Sequence, residues 1–220
     1  MENKITCLIF DFDGVIADTD LGRFKLLKRI LKDYDTELSN SFSKKDLIGL
    51  STKGFLKKYS TKLSLSEINE IITKRHEIFF ANLSDYCIAF KNMAESIKYF
   101  NTKFELAIVT TNDITNVKIL LEHLEVRNYF KWIIGREKTE NKNLEKTYEL
   151  IPDLLKKEIS ECIVVEDSDF GVLAAKKEGF YCVRFDPDNL HSNENENEKV
   201  ASYDELKRLV DKIANYKNDM

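Results

Sequence analysis

Two aspartates stand two positions apart near the amino terminus, directly after an apolar run. Residues 5–10 form this run, and Asp11, Phe12, Asp13 and Gly14 follow it. In an extended chain, side chains at positions i and i+2 point to the same side, about 6–7 Å apart. Asp11 and Asp13 can therefore face one small ligand together while Phe12 points into the core, and Gly14 permits a sharp turn of the chain. The pattern is typical of a buried strand that ends in a site, although two solvated aspartates at a strand end have the same spacing.

Two later apolar runs, residues 106–109 and 162–165, also end in polar residues that are suited to chemistry. The residues that follow them are Thr110, Thr111 and Asn112 in the first case and Glu166, Asp167 and Ser168 in the second. Parallel sheets bind their ligands at the carboxyl ends of their strands, near the point where the strand order reverses. The sequence therefore predicts that these groups and the two aspartates belong to one site.

Outside residues 15–88, strand-like runs alternate with helical patterns. This alternation predicts an α/β fold with a doubly wound, mainly parallel sheet. The predicted strands are residues 5–10, 106–109, 132–134, 162–165 and 181–185. Pro152 predicts a break in a helix over residues 144–155, and the polar stretch 186–199 predicts a loop.

Residues 15–88 carry almost no strand signal and indicate a helical domain inserted between residues 1–14 and 89–220. The helices predicted in this insert cover residues 21–34, 46–59 and 66–83. The last of them is predicted to start at Ser66, without a strict capping box. We therefore expect an α/β core that is interrupted by one helical domain.

The composition argues against several classes of protein. The 220 residues are 43% hydrophobic and 33% charged, which suits one or two globular domains with a sizeable core. The net charge is −4, with basic residues scattered among acidic ones, so nucleic-acid binding is not indicated. No apolar run approaches the ~20 residues of a membrane span, and the amino terminus lacks a signal-peptide pattern.

The four cysteines, Cys7, Cys87, Cys162 and Cys182, lie far apart and show no metal-ligand spacing. Three of them fall in apolar, strand-like runs, which indicates buried reduced thiols. We therefore expect a cytoplasmic protein, without membrane or nucleic-acid partners, that is a monomer or a small homo-oligomer.

Residues 11–19 closely resemble the first motif of the haloacid dehalogenase-like phosphohydrolases, Asp-x-Asp-Gly-x-x-x-Asp-[Thr/Ser]. Thr110 stands at a strand end where this family has Thr or Ser, and Lys142 is identified with the family's lysine. Residues 166–179 resemble the motif Glu-Asp-Ser-x-x-Gly-x-x-Ala-Ala-x-x-Ala-Gly. The four pieces occur in order on the expected elements. The resemblance thus covers the whole chain and implies a Rossmann-like core with a helical C1 cap.

The resemblance also implies a magnesium-dependent phosphatase that acts on a small phosphorylated metabolite. Asp11 would be the nucleophile that forms an aspartyl-phosphate, and Asp13 would protonate the leaving group and later deprotonate water. Mg²⁺ would be held by the Asp11 carboxylate, the Asp13 backbone carbonyl and the Asp167 carboxylate, with Glu166 as a direct or water-mediated ligand. Ser168 and Asp169 would support these ligands, unless Asp169 merely caps the following helix.

Thr110 would hydrogen-bond a phosphoryl oxygen of the substrate, by the same resemblance. N–H groups around Thr111 and Asn112, at the start of the next helix, would assist it. Alternatively, the Thr110 hydroxyl only caps that helix.

The lysine is open to more than one assignment. The family carries Lys-Pro-x-Pro-x-x-[Phe/Tyr], whereas Lys142 is followed by Tyr148 at the right distance but by neither proline. Lys138 and Lys146 are the alternatives. We prefer Lys142 because its distance to Glu166 resembles that in the family.

Residues 49–53 resemble the substrate-specificity loop of the family's cap, so Thr52 and Lys53 are candidates for substrate contact. Further candidates in the insert are Arg23, Lys74, Arg75 and His76, and for all six a solvated surface role is the alternative. β-Phosphoglucomutases of the family tend to carry arginine where Thr52 stands, which favours a phosphatase over a mutase. A non-catalytic phosphate-binding or regulatory protein is a third interpretation. It is disfavoured because binding alone needs no second carboxylate beside Asp11.

Overall fold

The computed structural model describes residues 4–47, 50–135, 144–190 and 195–218. The chain divides into two compact units. Met1–Ala17 and Ala89–Met220 form the first, which we call the core unit, and Asp18–Ile88 forms the second, the helical unit. Each unit has an apolar core of its own.

A sheet of six parallel strands forms the centre of the core unit in the described ranges. The strands are β1 (Cys7–Phe10), β2 (Glu105–Val109), β3 (Phe130–Ile134), β4 (Cys162–Glu166), β5 (Tyr181–Phe185) and β6 (Glu198–Val200). Their spatial order is β3-β2-β1-β4-β5-β6, so the order reverses at β1. The predicted doubly wound parallel sheet with an inserted helical domain is confirmed.

The central strands are apolar because both faces of the sheet are covered. All four side chains of β1 and all five of β4 are buried. The register aligns Phe10 with Ile108 on one side and with Val165 on the other. As a result, β1, β2 and β4 end at the same level, and the residues that follow them meet at one edge of the sheet.

Ten α-helices lie within the described residues. Those of the helical unit are α1 (Thr19–Leu31), α2 (Thr36–Ser41), α3 (Thr52–Tyr59), α4 (Leu65–Ala81) and α5 (Leu83–Tyr86). Those of the core unit are α6 (Met93–Asn101), α7 (Ile114–His123), α8 (Leu144–Leu155), α9 (Asp169–Lys177) and α10 (Tyr203–Asn218). Short 3-10 helices cover Lys44–Leu47, Arg127–Tyr129 and Ile159–Glu161. None of the described helices is long and apolar enough to cross a bilayer.

The helical unit differs from the prediction at the start of two helices. The predicted helix 46–59 is a 3-10 helix followed by α3, which Ser51 caps by accepting the Gly54 N–H at 3.0 Å. α4 begins earlier than predicted because Ser64 and Glu67 form a capping box. Ser64 Oγ accepts the Glu67 N–H at 3.2 Å, and Glu67 Oε2 accepts the Ser64 N–H at 2.8 Å. The short helix α2 is a further element that the sequence pattern does not predict.

The core unit differs from the prediction at α8 and β6. Pro152 lies inside α8, which is continuous, so the predicted break is wrong. Pro152 has no backbone N–H to donate within the helix, but the burial of Tyr148 and Ile151 on one face stabilises α8 at this point. β6 lies at the end of the predicted loop 186–199 and pairs with β5. β6 consists of Glu198, Lys199 and Val200, and only Val200 is buried. One apolar residue does not form an alternating pattern, so the sequence does not predict this strand.

Candidate active site

Three carboxylates meet at the carboxyl edge of the sheet. Asp11 directly follows β1, Glu166 is the last residue of β4, and Asp167 comes next. One carboxylate oxygen from each lies within 4.8 Å of the other two. The Asp11 N–H donates to the Val165 carbonyl at 3.0 Å, which extends the pairing of β1 with β4 by one residue. Phe12 is fully buried, as the strand alternation predicts.

The turn after β1 leaves room for the Asp167 side chain. Gly14 has a φ of 77°, which favours glycine, and a Cβ built on it would lie 1.9 Å from Asp167 Oδ2. The Gly14 N–H donates to the Ala17 carbonyl at 2.9 Å. The buried Tyr203 hydroxyl donates to the Val15 carbonyl at 2.9 Å. These contacts fix the turn, so a larger residue at this position would displace Asp167.

Glu166 is buried, with 1% of its surface exposed. Its Oε2 accepts hydrogen bonds from the Asp167 N–H (3.0 Å), the Ser168 N–H (3.2 Å) and the Ser168 hydroxyl (3.2 Å). The Tyr148 hydroxyl donates to Oε1 at 3.4 Å. A Cβ on Gly171 would lie 1.9 Å from Oε1, so the glycine at the start of α9 makes room for this carboxylate. Ser168 thus supports Glu166, as predicted.

Burial disfavours the ionisation of Asp11 and Glu166, and nearby carboxylates add to this effect at Asp11. Burial raises the pKa of Asp11 well above its ordinary value, and the charges of Glu166, Asp167 and Asp13 raise it further. Burial also raises the pKa of Glu166 to about 7, although hydrogen bonds from Ser168 and Asp167 act in the opposite direction. Carboxylate oxygens are ligands that Mg²⁺ prefers, and a divalent cation would offset the repulsion. The donor set and its charge therefore fit a magnesium ion.

Asp13, Asn112 and Thr110 form a second group of polar side chains. Asn112 Nδ2 donates to Asp13 Oδ2 at 3.3 Å, which orients the carboxyl group. Thr110 is 3% exposed, and its hydroxyl accepts the Asn112 N–H at 3.1 Å. A hydroxyl that accepts in this way retains its hydrogen for donation. Asp113, rather than Thr110, caps α7, because its Oδ1 accepts two N–H groups of the first turn.

The other predicted residues are described to different extents. Three lysine candidates, Lys138, Lys142 and the side chain of Lys146, lie outside the described residues. Thr111 is exposed beyond the end of β2. In the helical unit, Lys53 is exposed, whereas Thr52 is only 8% exposed at the start of α3. A solvated surface role therefore does not apply to Thr52.

Arg23 supports a loop of the helical unit. Its Nη1 donates to the Leu50 carbonyl at 2.6 Å, and its Nη2 donates to the Leu47 carbonyl at 2.5 Å. Nη2 also pairs with Asp20 at 2.7 Å. Because these carbonyls precede α3, Arg23 stabilises the chain that leads to Thr52.

Sequence reasoning missed Arg184, which is fully buried in β5. Its Nη1 donates to the Asp167 carbonyl at 3.0 Å, and its Nη2 lies 3.0 Å from Asp169 Oδ1. Asp169 therefore pairs with an arginine instead of capping α9. Ser168 is the cap, because its Oγ accepts the Gly171 N–H at 3.0 Å. The signal that could have revealed Arg184 is a lone charged residue within an otherwise apolar strand.

Comparison with protein families gives one match that covers most of the chain. A family model described as haloacid dehalogenase-like hydrolase matches residues 8–185. The matched range includes Asp11, Asp13, Thr110, Glu166 and Asp167. It therefore covers each of these candidate site residues.

Individual relatives are distant but extend over most of the chain. The fructose-1-phosphate phosphatase YqaB of Escherichia coli is 23% identical over 191 residues, which cover 83% of this chain and 97% of the relative. The phosphoglycolate phosphatase of Pseudomonas syringae pv. tomato is 22% identical over 211 residues, which cover 92% of this chain and 78% of the relative. A solved structure from Thermotoga maritima, assigned as a β-phosphoglucomutase, has a TM-score of 0.78 at 19% identity and covers 95% of this chain and 100% of that one. This last likeness shows a shared fold.

Proposed function

The chain belongs to the haloacid dehalogenase-like hydrolases, and on this premise we propose that it is a magnesium-dependent phosphatase. Its substrate would be a small phosphomonoester, and Asp11 would carry the phosphoryl group as an intermediate. The observation that supports this most strongly is the convergence of Asp11, Glu166 and Asp167 within 4.8 Å. Asp13 adds a further carboxyl group two residues after Asp11, which an acid–base role requires.

In the first half of the reaction, a carboxylate oxygen of Asp11 attacks the phosphorus atom. A P–O bond to Asp11 forms while the bond to the ester oxygen breaks. Asp13 donates a proton to the leaving oxygen, and the hydrogen bond from Asn112 keeps its carboxyl group oriented. The Thr110 hydroxyl donates to a phosphoryl oxygen and so stabilises the charge that develops there.

In the second half, water attacks the phosphorus atom of the aspartyl-phosphate. Asp13, now ionised, takes a proton from this water. The P–O bond to Asp11 breaks, which releases inorganic phosphate and restores the Asp11 carboxylate. Lys142 is proposed as the lysine of the site, and this assignment depends on the sequence motif.

Magnesium would be held by the carboxylates of Asp11, Glu166 and Asp167 and by the backbone carbonyl of Asp13. When bound, it would neutralise negative charge on these carboxylates and on the phosphoryl oxygens. The raised pKa of Asp11 supports the assignment. A carboxylate that is buried and also surrounded by other carboxylates needs a nearby cation to stay ionised, and only the ionised form is a nucleophile.

We propose a small phosphorylated metabolite as the substrate. Two relatives are named as phosphatases of fructose 1-phosphate and of phosphoglycolate, which are both small phosphate esters. Residues 15–88 would act as the cap, with Thr52 and Lys53 in contact with the leaving group, and Thr111 and Asn112 would line the phosphate site. The four free, buried cysteines suit a reducing compartment, which supports a cytoplasmic location.

Phosphate release from a panel of small phosphate esters tests this proposal. With purified protein and Mg²⁺, we expect inorganic phosphate from several esters and loss of activity when EDTA removes the metal. A mutase would instead convert β-glucose 1-phosphate to glucose 6-phosphate in the presence of a bisphosphate primer, with little phosphate release. Thr52, at the position where mutases tend to carry arginine, favours the phosphatase. Efficient mutase turnover, or no magnesium-dependent phosphate release from any ester, would overturn the proposal.

A further inference from the structure

A buried arginine contacts the main chain of Asp167, one of the proposed metal ligands. Arg184 has 0% of its surface exposed and is the largest fully buried side chain among the described residues. It lies in β5 and is aligned with Glu166 of β4. Removal of a guanidinium group from water is costly unless strong acceptors replace the lost hydration. The identity of its acceptors therefore indicates what Arg184 does.

Two hydrogen-bond acceptors and one further ion-pair partner surround the guanidinium group. Nη1 donates to the Asp167 carbonyl at 3.0 Å, and Nε donates to Glu196 Oε2 at 3.0 Å. Nη2 lies 3.0 Å from Asp169 Oδ1. The Glu196 side chain is itself only 6% exposed. Because a guanidinium group is planar and rigid, it fixes these three groups relative to one another.

The main chain of Asp167 is thereby held on both sides. Its N–H donates to Glu166 Oε2 at 3.0 Å, and its carbonyl accepts from Arg184. With both peptide groups fixed, the Asp167 side chain leaves the main chain in one direction. That direction is toward Gly14, where a Cβ would lie 1.9 Å from Asp167 Oδ2.

We propose that Arg184 is a positioning residue for the magnesium site. By fixing the Asp167 carbonyl, it sets the Asp167 carboxylate against those of Asp11 and Glu166. This inference rests on the proposed function, because it assumes that the three carboxylates bind Mg²⁺. The hydrogen bond to the Asp167 carbonyl is the contact through which Arg184 reaches a proposed metal ligand.

Magnesium binding to Arg184 variants, measured by isothermal titration calorimetry without substrate, tests the inference. Arg184→Lys keeps the positive charge but lacks the planar fork, and we expect its Kd for Mg²⁺ to rise about tenfold. Arg184→Met removes both hydrogen bonds of the guanidinium group and should raise the Kd further, although the loss of a positive charge by itself favours cation binding. Lys199→Met is the matched control, because it breaks a 2.8 Å ion pair with Asp186 beside the same strand. Its Kd should stay within about twofold of the wild-type value, as expected for an independent site.

Thermal unfolding without Mg²⁺ separates positioning from stability. A purely structural role would lower the melting temperature of the Arg184 and Lys199 variants without a specific change in Mg²⁺ affinity. If Arg184→Met does not fold, Arg184→Lys and Glu196→Gln decide the question. Glu196→Gln weakens the hydrogen bond from Arg184 Nε and should raise the Kd for Mg²⁺ by a smaller factor than Arg184→Lys does.

Two negative results have different meanings. Wild-type protein that does not bind Mg²⁺ would contradict the proposed function. Wild-type protein that binds Mg²⁺, with folded Arg184→Lys and Glu196→Gln variants of unchanged Kd, would overturn the role of Arg184 alone. If Lys199→Met lost as much affinity for Mg²⁺ as the Arg184 variants, the role of Arg184 would be overturned as well.

Discussion

The carboxylate of Asp167 packs against the Cα of Gly14. A Cβ at Gly14 would lie 1.9 Å from Asp167 Oδ2, and the φ of Gly14 is 77°. The glycine that follows the two aspartates therefore has two functions. It allows the chain to turn sharply after β1, and it admits a carboxylate from the end of β4 into the same site.

Replacement of Gly14 with alanine should displace Asp167. We expect Gly14→Ala to lower kcat by about 100-fold, as a small displacement of a catalytic group does, and to raise the Mg²⁺ concentration for half-maximal activity. Gly179→Ala is the control, because Gly179 has a φ of 88° but its Cβ would meet nothing closer than 4.0 Å. It should cost about 1–2 kcal/mol of stability with little effect on activity. Equal losses of activity in the two variants would assign the effect to backbone strain instead.

If Asp13 is the general acid, the loss of activity on its replacement should depend on the leaving group of the substrate. Asp13→Asn should lower kcat/KM for alkyl phosphates by about 10²- to 10⁴-fold, because an alkoxide needs a proton to leave. For p-nitrophenyl phosphate, kcat/KM should fall far less, since p-nitrophenolate leaves without protonation. Steady-state kinetics with both esters provide the comparison. Parallel losses would argue against this role for Asp13.

Glu166 should make the stability of the metal-free protein depend on pH. Its pKa rises from an ordinary value of 4.5 to about 7 on folding, mainly through burial. Between these pH values, the native state holds a proton that the unfolded chain has lost, so this residue destabilises the fold progressively as pH rises. Glu166→Gln removes the titrating group. The free energy of unfolding of this variant, relative to that of the wild type, should therefore be higher at pH 8 than at pH 4.

Chemical denaturation in EDTA at several pH values measures this effect. The difference in unfolding free energy between Glu166→Gln and the wild type should grow by on the order of 3 kcal/mol from pH 4 to pH 8. Glu149→Gln, which removes an exposed carboxylate from α8, is the control for the loss of one charge. A difference that stays constant across this range would contradict the raised pKa of Glu166.

Lys53 is predicted to influence the choice of substrate. Lys53→Ala should change the relative rates of hydrolysis of different phosphate esters, because the exposed lysine would contact the leaving group. Hydrolysis of p-nitrophenyl phosphate should be nearly unchanged. Lys57→Ala removes another exposed lysine of α3 and serves as the control. Identical substrate profiles for Lys53→Ala and the wild type would remove Lys53 from the substrate site.

Patterns within a few residues account for the part of the site that the sequence predicts. The spacing of Asp11 and Asp13 follows from strand alternation, and parallel pairing places the end of β4 beside them. Glu166 and Asp167 are recognisable because they end an apolar run. The capping box of Ser64 and Glu67 has an equally local signature and could have been predicted in the same way.

Contacts between separate segments account for most of what was missed. Arg184 is bonded to Asp167 and pairs with Asp169 and Glu196, which lie on two other stretches of the chain. β6 exists because it pairs with β5, a tertiary contact that its polar composition does not reveal. No short pattern contains these pairings, so they emerge only from the folded chain.

The central step of the proposed mechanism is the passage of the phosphoryl group through Asp11, and it can be tested by trapping the intermediate. In Asp13→Asn, release of p-nitrophenolate needs no acid, whereas hydrolysis of the aspartyl-phosphate lacks its base, so the intermediate should accumulate. Borohydride reduces an acyl phosphate to an alcohol, and its addition during turnover would convert Asp11 to homoserine, which peptide mass spectrometry detects. The proposed mechanism predicts this modification at Asp11 only when substrate is present, after a burst of about one p-nitrophenolate per enzyme. Release of p-nitrophenolate with Asp11 unmodified would contradict it.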